Sequence, residues 1–469
     1  MNNNYFDSEE FQEMLRNYEE AINNGESPLL DSDDFTSIAE YYNTKGETEK
    51  ASEILDHAID IYPTASAPLI MKARMTLIND EDDVKAQEYL DRVCDKTDLE
   101  FNYMQAELWI DQNNEEEAAE LLQRVWEENE DEQEDMAIEI ATLYVDYDMA
   151  EEAAMWLERH DDKESPDYLE VAARIELARR NYDESIRLFN KLIDTNPYSV
   201  QYWNMLTFAQ VLKGDIRGSI ESSEYALAID NNNTEAIVNK ANGLYNLGNF
   251  AEAEKYYGRY NRITRGDAQS LLFQASCLFA MNRFQEAAFL LDKAETMADK
   301  DMHYLLYDIY QKQAFVQSRM GNLDKALMHI NKAYELPVDR NEILVFKGHL
   351  LMEHNCVKEA IESFSEALDS SKGSPEIMLK VGMSLYDNNF PKHACKIFEK
   401  YQDVTDNNIA LPYLAACYHD MGDREKYLEY LKEACRLVPQ ETEIVFDEQF
   451  PEGVSPENYY DYEIQNEKQ

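Results

Sequence analysis

The chain has 469 residues, 44% of them apolar, and it is long enough for roughly three ordinary domains or one continuous repeat array. Its 14 Gly and 12 Pro are few for a loop-rich β protein. The net charge of −52 works against the Lys/Arg-driven electrostatics by which proteins hold nucleic acids and anionic membranes, so neither is expected as a partner. No run approaches the roughly 18–20 apolar residues of a membrane span. Met1, Asn2 and the residues up to Asp7 lack the basic and apolar regions of a signal peptide. The six cysteines are scattered without a Cys-x-x-Cys pair, as suits small buried thiols in a reducing compartment. A cytoplasmic location follows as the expectation.

In chain order, residues 8–22 read as a solitary amphipathic helix. Asp7 and Glu10 suit its start, and Phe11, Met14, Leu15, Tyr18 and Ile22 form one apolar stripe. It is expected to cap whatever follows, within a segment 1–31; a partner-binding helix is the other reading. From residue 32 one pattern returns at a spacing near 34. In its clearest copy Ala241 is followed by Leu244, Gly248, Ala253, Tyr257 and Tyr260; the same offsets recover Ala39, Gly46, Ala51, Leu55 and Ala58, and later Ala415, Gly422, Tyr427, Leu431 and Ala434. Twelve copies begin near 32, 66, 99, 134, 166, 200, 234, 268, 307, 341, 375 and 408. Those from 66 and 134 are the weakest, lacking a Gly turn and a closing Pro.

Each copy holds apolar residues at helical spacing in two amphipathic segments, and Gly214-Asp215, Gly248-Asn249, Gly321-Asn322 and Gly422-Asp423 are signals for a tight corner between them. Pro63, Pro197 and Pro439 stop second helices. The small residue lets the two axes approach, and an aromatic sixteen positions on fills the space beside it. One such pair cannot bury its own apolar face, so neighbours must stack. The longer interval before the copy at 307 marks an insertion near 297–307, where Tyr304, Tyr307 and Tyr310 recur every three residues; it is expected to lengthen one helix. After Pro439 the acidic segment 441–469 carries Ile444, Val445, Phe446, Phe450, Tyr459, Tyr460 and Tyr462. So many aromatic residues are unusual in a disordered tail. Two readings stand: a cap over the last repeat, or a motif lying in the protein's own groove or another chain's.

Small residue, aromatic, Gly, Glu-Ala, aromatic, Ala, Pro: this signature, with Leu244 to Tyr257 (LYNLGNFAEAEKYY) as its best instance, resembles the tetratricopeptide repeat over about 32–440. It is similar in particular to long acidic tetratricopeptide proteins of Bacteroidales-type bacteria, which end in an FPEG…YY segment like Phe450-Pro451-Glu452-Gly453 and Tyr459-Tyr460 here. The resemblance implies an all-α, right-handed α-solenoid of about twelve helix-turn-helix repeats. It also implies that first helices line a concave groove, with Asn204, Phe208, Asn242, Tyr245, Phe279, Phe315, Arg319, His349 and Met352 at groove-facing positions. Aromatics mixed with amides and an Arg suit anchoring of a peptide or partner helix; the alternative is that Phe208, Phe279 and Phe315 pack between repeats.

No phosphate loop, His-Glu-x-x-His or Gly-x-Ser-x-Gly is present. His349 and His354, five apart, point to different faces, and acidic runs such as Glu115-Glu116-Glu117 and Asp131, Glu132, Glu134, Asp135 read as solvated charge. No catalytic residue, cofactor or metal is expected. The carboxylate clamp of some repeats of this kind has only Asn239 and Asn242 to match it; Gln269, Leu272, Phe273 and Ser276 supply no cation. The function expected is a non-enzymatic scaffold that binds a protein or peptide in the groove. Residues 1–150 hold 41 Asp/Glu against 9 Lys/Arg, while 251–400 hold 21 against 19. That asymmetry keeps open an acidic, chaperone-like escort for a basic protein, beside an accessory or sensor subunit that takes a short peptide. The oligomeric state is not written in the residues.

Overall fold

The computed structural model describes residues 3–6, 8–25, 27–446, 449–451 and 453–466. They form helices joined by short turns, with no strand among the described residues. Two compact units result, Met1–Ile229 and Asp230–Gln469. The first opens with α1 (Asn3–Phe6) and α2 (Glu9–Asn24). Hairpins α3–α4 (Ser32–Thr44, Thr48–Ile61), α5–α6 (Ser66–Asp80, Asp83–Asp91) and α7–α8 (Leu99–Asp111, Glu115–Glu128) follow. The unit is completed by α9–α10 (Gln133–Asp146, Ala150–Leu157), α11–α12 (Pro166–Ala178, Tyr182–Thr195) and α13–α14 (Val200–Lys213, Ile216–Ile229). The second unit begins with α15–α16 (Thr234–Asn246, Phe250–Thr264), α17–α18 (Ala268–Ala280, Phe284–Met297) and α19–α20 (His303–Arg319, Leu323–Tyr334). It continues with α21–α22 (Arg340–Glu353, Val357–Ser370), α23–α24 (Pro375–Asp387, Pro391–Val404) and α25–α26 (Leu411–Asp420, Arg424–Leu437), and ends in α27 (Pro439–Phe446) and α28 (Tyr459–Asn466).

Several first helices start on side-chain caps. Asp31, Asp98, Ser165, Ser199, Asn233 and Asp267 each accept a bond from a backbone N–H of the first turn, satisfying donors that the helix itself leaves open. At α2 the cap is Ser8, whose hydroxyl accepts from Phe11 N–H at 3.2 Å; Asp7 lies outside the described residues. The insertion at 297–307 lengthens α19, which starts at His303 and runs 17 residues where its neighbours have 13 or 14.

Every corner between the two helices of a hairpin is turned by one left-handed residue. Gly46, Gly214, Gly248, Gly321 and Gly422 do so as their sequence suggests, but Glu81, Asn113, Asp148, Arg180, Asn282, Asn355 and Asn389 adopt the same positive φ. The weak copies from 66 and 134 therefore turn like the others, on Glu81 and Asp148. Asp215 N–H to Gln210 O (2.8 Å) and Asn181 N–H to Glu176 O (2.8 Å) show that a Gly corner and an Arg corner close with the same bond.

Within each hairpin the small residue and the residue sixteen on are packed together, and their sizes compensate. Gly348 and Gly382 face Phe364 and Phe398, whose rings occupy the space a Cβ would need. Where the small residue is alanine its counterpart is more often aliphatic, as in Ala275 with Leu291 and Ala314 with Ile330, each pair inside one buried cluster. Thr207 is matched by Ser223, both fully buried. The aromatic expected from sequence is thus one solution of a volume constraint. At the ends, Phe11, Leu15 and Tyr18 of α2 join the cluster of Phe35, Ile38 and Tyr42. Phe446, Phe450 and Tyr459 join that of Tyr418, Tyr427 and Leu431, with the Phe450 and Tyr459 rings stacked at 3.9 Å. Glu452 lies outside the described residues. Cys277, Cys395, Cys417 and Cys435 are buried, and burial pushes the Cys277 thiol up to about 12.

Gly348→Ala should cost about 1–3 kcal/mol through overpacking, read as a lower urea midpoint. Adding Phe364→Leu should recover a large part of it, because Ala with Leu is the pairing used at Ala275 and Leu291. Arg180→Gly should stabilise by about 0.5–1 kcal/mol, the left-handed strain relieved less the extra chain entropy of glycine; the same unfolding curve reads it, and Gly214→Arg should move it the other way.

Candidate functional site

Helical spacing puts residues at intervals of three and four on one side of each first helix, away from the hairpin core. In the second unit this face carries a cleft of about 280 Å3. Tyr307, Gln311 and Phe315 of α19 form one wall, Val345, Phe346 and His349 of α21 the floor, and Met383, Ser384 and Asp387 of α23 the other wall. The Phe315 ring sits 4.7 Å from Phe346 and 6.3 Å from the His349 imidazole. Its lysine is satisfied within the rim: Lys380 is paired with Glu342 and, at 2.9 Å, with Glu376. His349 Nδ1 lies 3.0 Å from Ser384 Oγ, and its Nε2 lies 3.8 Å from Glu353, which also takes Arg319 at 3.0 Å. Burial pushes the Tyr307 phenol up to about 12 and raises the Asp387 carboxyl.

Of the residues singled out from sequence, Phe315 and His349 line this cleft. Phe279 stands beside it, 6.4 Å from Phe315, with Lys312 Nζ 5.4 Å from its ring. Arg319 reaches its edge through Glu353. Met352 is buried in the core with Leu385. Asn242 Oδ1 accepts the Tyr257 hydroxyl at 2.5 Å, and Tyr245 packs on Phe250 and Phe273. Asn239 and Asn242 therefore build no clamp with α17, where Leu272 is buried and Ser276 Oγ donates to Leu272 O. In the first unit Asn204 is buried and Phe208 is exposed. His354 approaches Ser318 of α19 at 2.9 Å while His349 turns to α23, so the two histidines do point apart. Glu115, Glu116 and Glu117 occupy the first turn of α8, where carboxylates favour the helix dipole; Glu134 pairs with His160 at 2.8 Å.

A larger cleft, about 530 Å3, lies on the first-helix face of the first unit, between α3, α5 and the start of α7. No residue in it was picked out from sequence. The signal was there: α5 has a second apolar stripe, Ala67, Met71, Met75 and Ile78, beside its core stripe Leu69, Ala73 and Leu77. Farther along the same unit carboxylates sit in poorly hydrated places. Glu107 is buried, and burial raises its pKa against the opposing pull of Arg74, 3.2 Å away. Glu170, which accepts from Gln201 at 2.8 Å, is raised for the same reason. A carboxyl whose folded pKa lies above its unfolded value adds stability that is complete below the unfolded pKa and is lost as pH rises through the folded one. Acidification from neutrality toward about pH 5, just above the ordinary carboxylate range, should therefore raise the melting temperature. Glu107→Gln with Glu170→Gln should show a smaller rise over the same interval.

Residues 238–301 match the sequence model described as "Tetratricopeptide repeat". No curated protein matches the sequence. Among solved structures, a tetratricopeptide repeat protein from Parabacteroides merdae is similar at 13% identity, covering 54% of this chain and 99% of its own, with a TM-score of 0.41. A human IFIT1 dimer with PPP-AAAA gives 16% identity, coverage of 79% and 89%, and 0.41. A fragment of MamA from Desulfovibrio magneticus gives 16%, coverage of 38% and 96%, and 0.35. No helix among the described residues is long and apolar enough to cross a membrane. The matched segment runs from α15 through α18, and its small residue, left-handed corner and counterpart sixteen on recur in the hairpins of both units: the chain carries tetratricopeptide repeats, a helical repeat that generally serves in protein-interaction scaffolds.

Proposed function

We propose that the chain is a non-enzymatic scaffold that holds a peptide segment or helix of a partner protein against its first helices, with the Phe315 cleft as an anchoring point. One observation carries the reading: Phe315 on one wall and Val345 and Phe346 on the floor give the cleft an apolar lining, and its one lysine, Lys380, is already paired with Glu342 and Glu376. Such a cleft takes an apolar or aromatic side chain without displacing the lysine from its carboxylates, while Gln311, Ser384 and His349 offer hydrogen bonds to a backbone. The net charge of −52 disfavours a polyanion in that role.

Phe315→Ala and Met383→Ala should each weaken quantitative capture of the native partner. The loss expected for a central aromatic anchor is about 2 kcal/mol, roughly 30-fold in Kd, with less for Met383. Circular dichroism of both variants checks that the hairpins remain folded. Unchanged capture by two folded variants would sink the reading.

A further inference from the structure

In α19, α21 and α23 the residue two positions before the small one reaches back toward the preceding first helix. In α23 this position holds Lys380, whose ammonium meets Glu342 of α21 and, one turn earlier in its own helix, Glu376 at 2.9 Å. In α21 it holds Phe346, whose ring meets Phe315 of α19 at 4.7 Å. In α19 it holds Lys312, and here the repeat supplies the lysine with neither glutamate. The residue equivalent to Glu342 is Gln269, and the one equivalent to Glu376 is Asp308, shorter by a methylene. The Lys312 ammonium lies 5.4 Å from the Phe279 ring of α17. Among the described residues it makes no hydrogen bond and no ion pair. Its surroundings are poorly hydrated: burial lowers the Lys312 pKa against the pull of Asp308, and raises that of Asp308 itself.

An ammonium with thinned hydration and no acceptor is held at a cost that an arriving anion offsets. A cation serving the fold would lie between carboxylates, as Lys380 does. The place of Lys312 beside the cleft decides what brings the anion. It precedes Phe315 by three residues, one turn along the same side of α19. Phe279 borders both, its ring 6.4 Å from that of Phe315. Groups meeting Phe315 and Lys312 are therefore neighbours, spaced like side chains one helical turn apart, roughly 5–6 Å. One unpaired cation balances one negative charge, and Asp308 a turn away opposes a second, which favours a carboxylate over a phosphate dianion. The acidity of the whole chain is weak here, since residues 251–400 hold 21 Asp/Glu against 19 Lys/Arg.

We infer that the segment held at the Phe315 cleft carries an Asp or Glu beside its apolar anchor, and that Lys312 receives this carboxylate while the anchor covers Phe315. The inference rests on the proposed scaffold reading and adds to it the chemistry of the ligand.

The test titrates the full chain by fluorescence anisotropy with two labelled peptides of equal length. They share one central Phe and differ only in its flanking residues, Glu in one and Gln in the other. The Phe/Glu peptide should bind about three- to tenfold more tightly, by a margin that shrinks as salt is added. Lys312→Met should abolish the margin and leave Phe/Gln binding unchanged, and Lys312→Arg should keep the margin. Because the ammonium is unpaired in the free protein, Lys312→Met should not lower the melting temperature, whereas Lys380→Met should. Equal or absent binding of the two peptides overturns the inference, as does a margin that survives Lys312→Met. A loss of stability in Lys312→Met like that of Lys380→Met would make Lys312 a structural cation and overturn it too. Phe315→Ala should weaken both peptides alike. If it does so while Lys312→Met changes nothing, the anchor stands and its acidic neighbour is refuted. If Phe315→Ala leaves both unchanged, the anchor itself fails and the inference with it.

Discussion

A helical hairpin of this chain has an apolar stripe that it cannot cover itself, and the pair can share a stripe only if its helices come close. The contact that permits this is the small residue on the first helix against its counterpart sixteen residues on. Gly348 against Phe364, Ala275 against Leu291 and Thr207 against Ser223 are three ways of filling nearly the same space. Because packed interiors tolerate neither voids nor overlap, the pair sets how each second helix lies on its first. The stacking of one hairpin on the next then follows from the stripes that remain. The ends obey the same need: Phe11 and Tyr18 are buried against the first hairpin, and Phe446, Phe450 and Tyr459 against the last.

Once that contact is satisfied, the outward side of each first helix is released from packing duty, and its residues can take any character the surface requires. The two clefts illustrate the freedom. Equivalent stretches of helix present Tyr307, Gln311 and Phe315 in one unit and Met71, Arg74 and Ile78 in the other. The first is lined by aromatic rings, the second by aliphatic side chains. A scaffold of repeated geometry can thus offer chemically different seats without changing its backbone. Little of this surface depends on loops, since corners close on a single left-handed residue and leave short connections.

The repeat register and the all-helical class were legible in the residues, because each rests on local chemistry: small residues at constant offsets and apolar stripes of helical period. Five corners were legible through glycine; those on Asn113, Asp148, Asn282, Asn355 and Asn389 were visible only as a milder preference for the left-handed region, and those on Glu81 and Arg180 not at all, since surrounding structure imposes a conformation those residues do not favour.

Tertiary structure decided which side chains of the first-helix face stay open. Register alone treats Phe315, Met352 and Asn242 alike. In the folded chain Phe315 borders a cleft, Met352 is covered by neighbouring hairpins and Asn242 is engaged by Tyr257. The second apolar stripe of α5 was likewise present in the sequence, but a stripe that lines a cleft and one that joins a core have the same period and composition. What separates them is whether a neighbour lies across the gap, and that is a property of the assembled helices and not of any one of them.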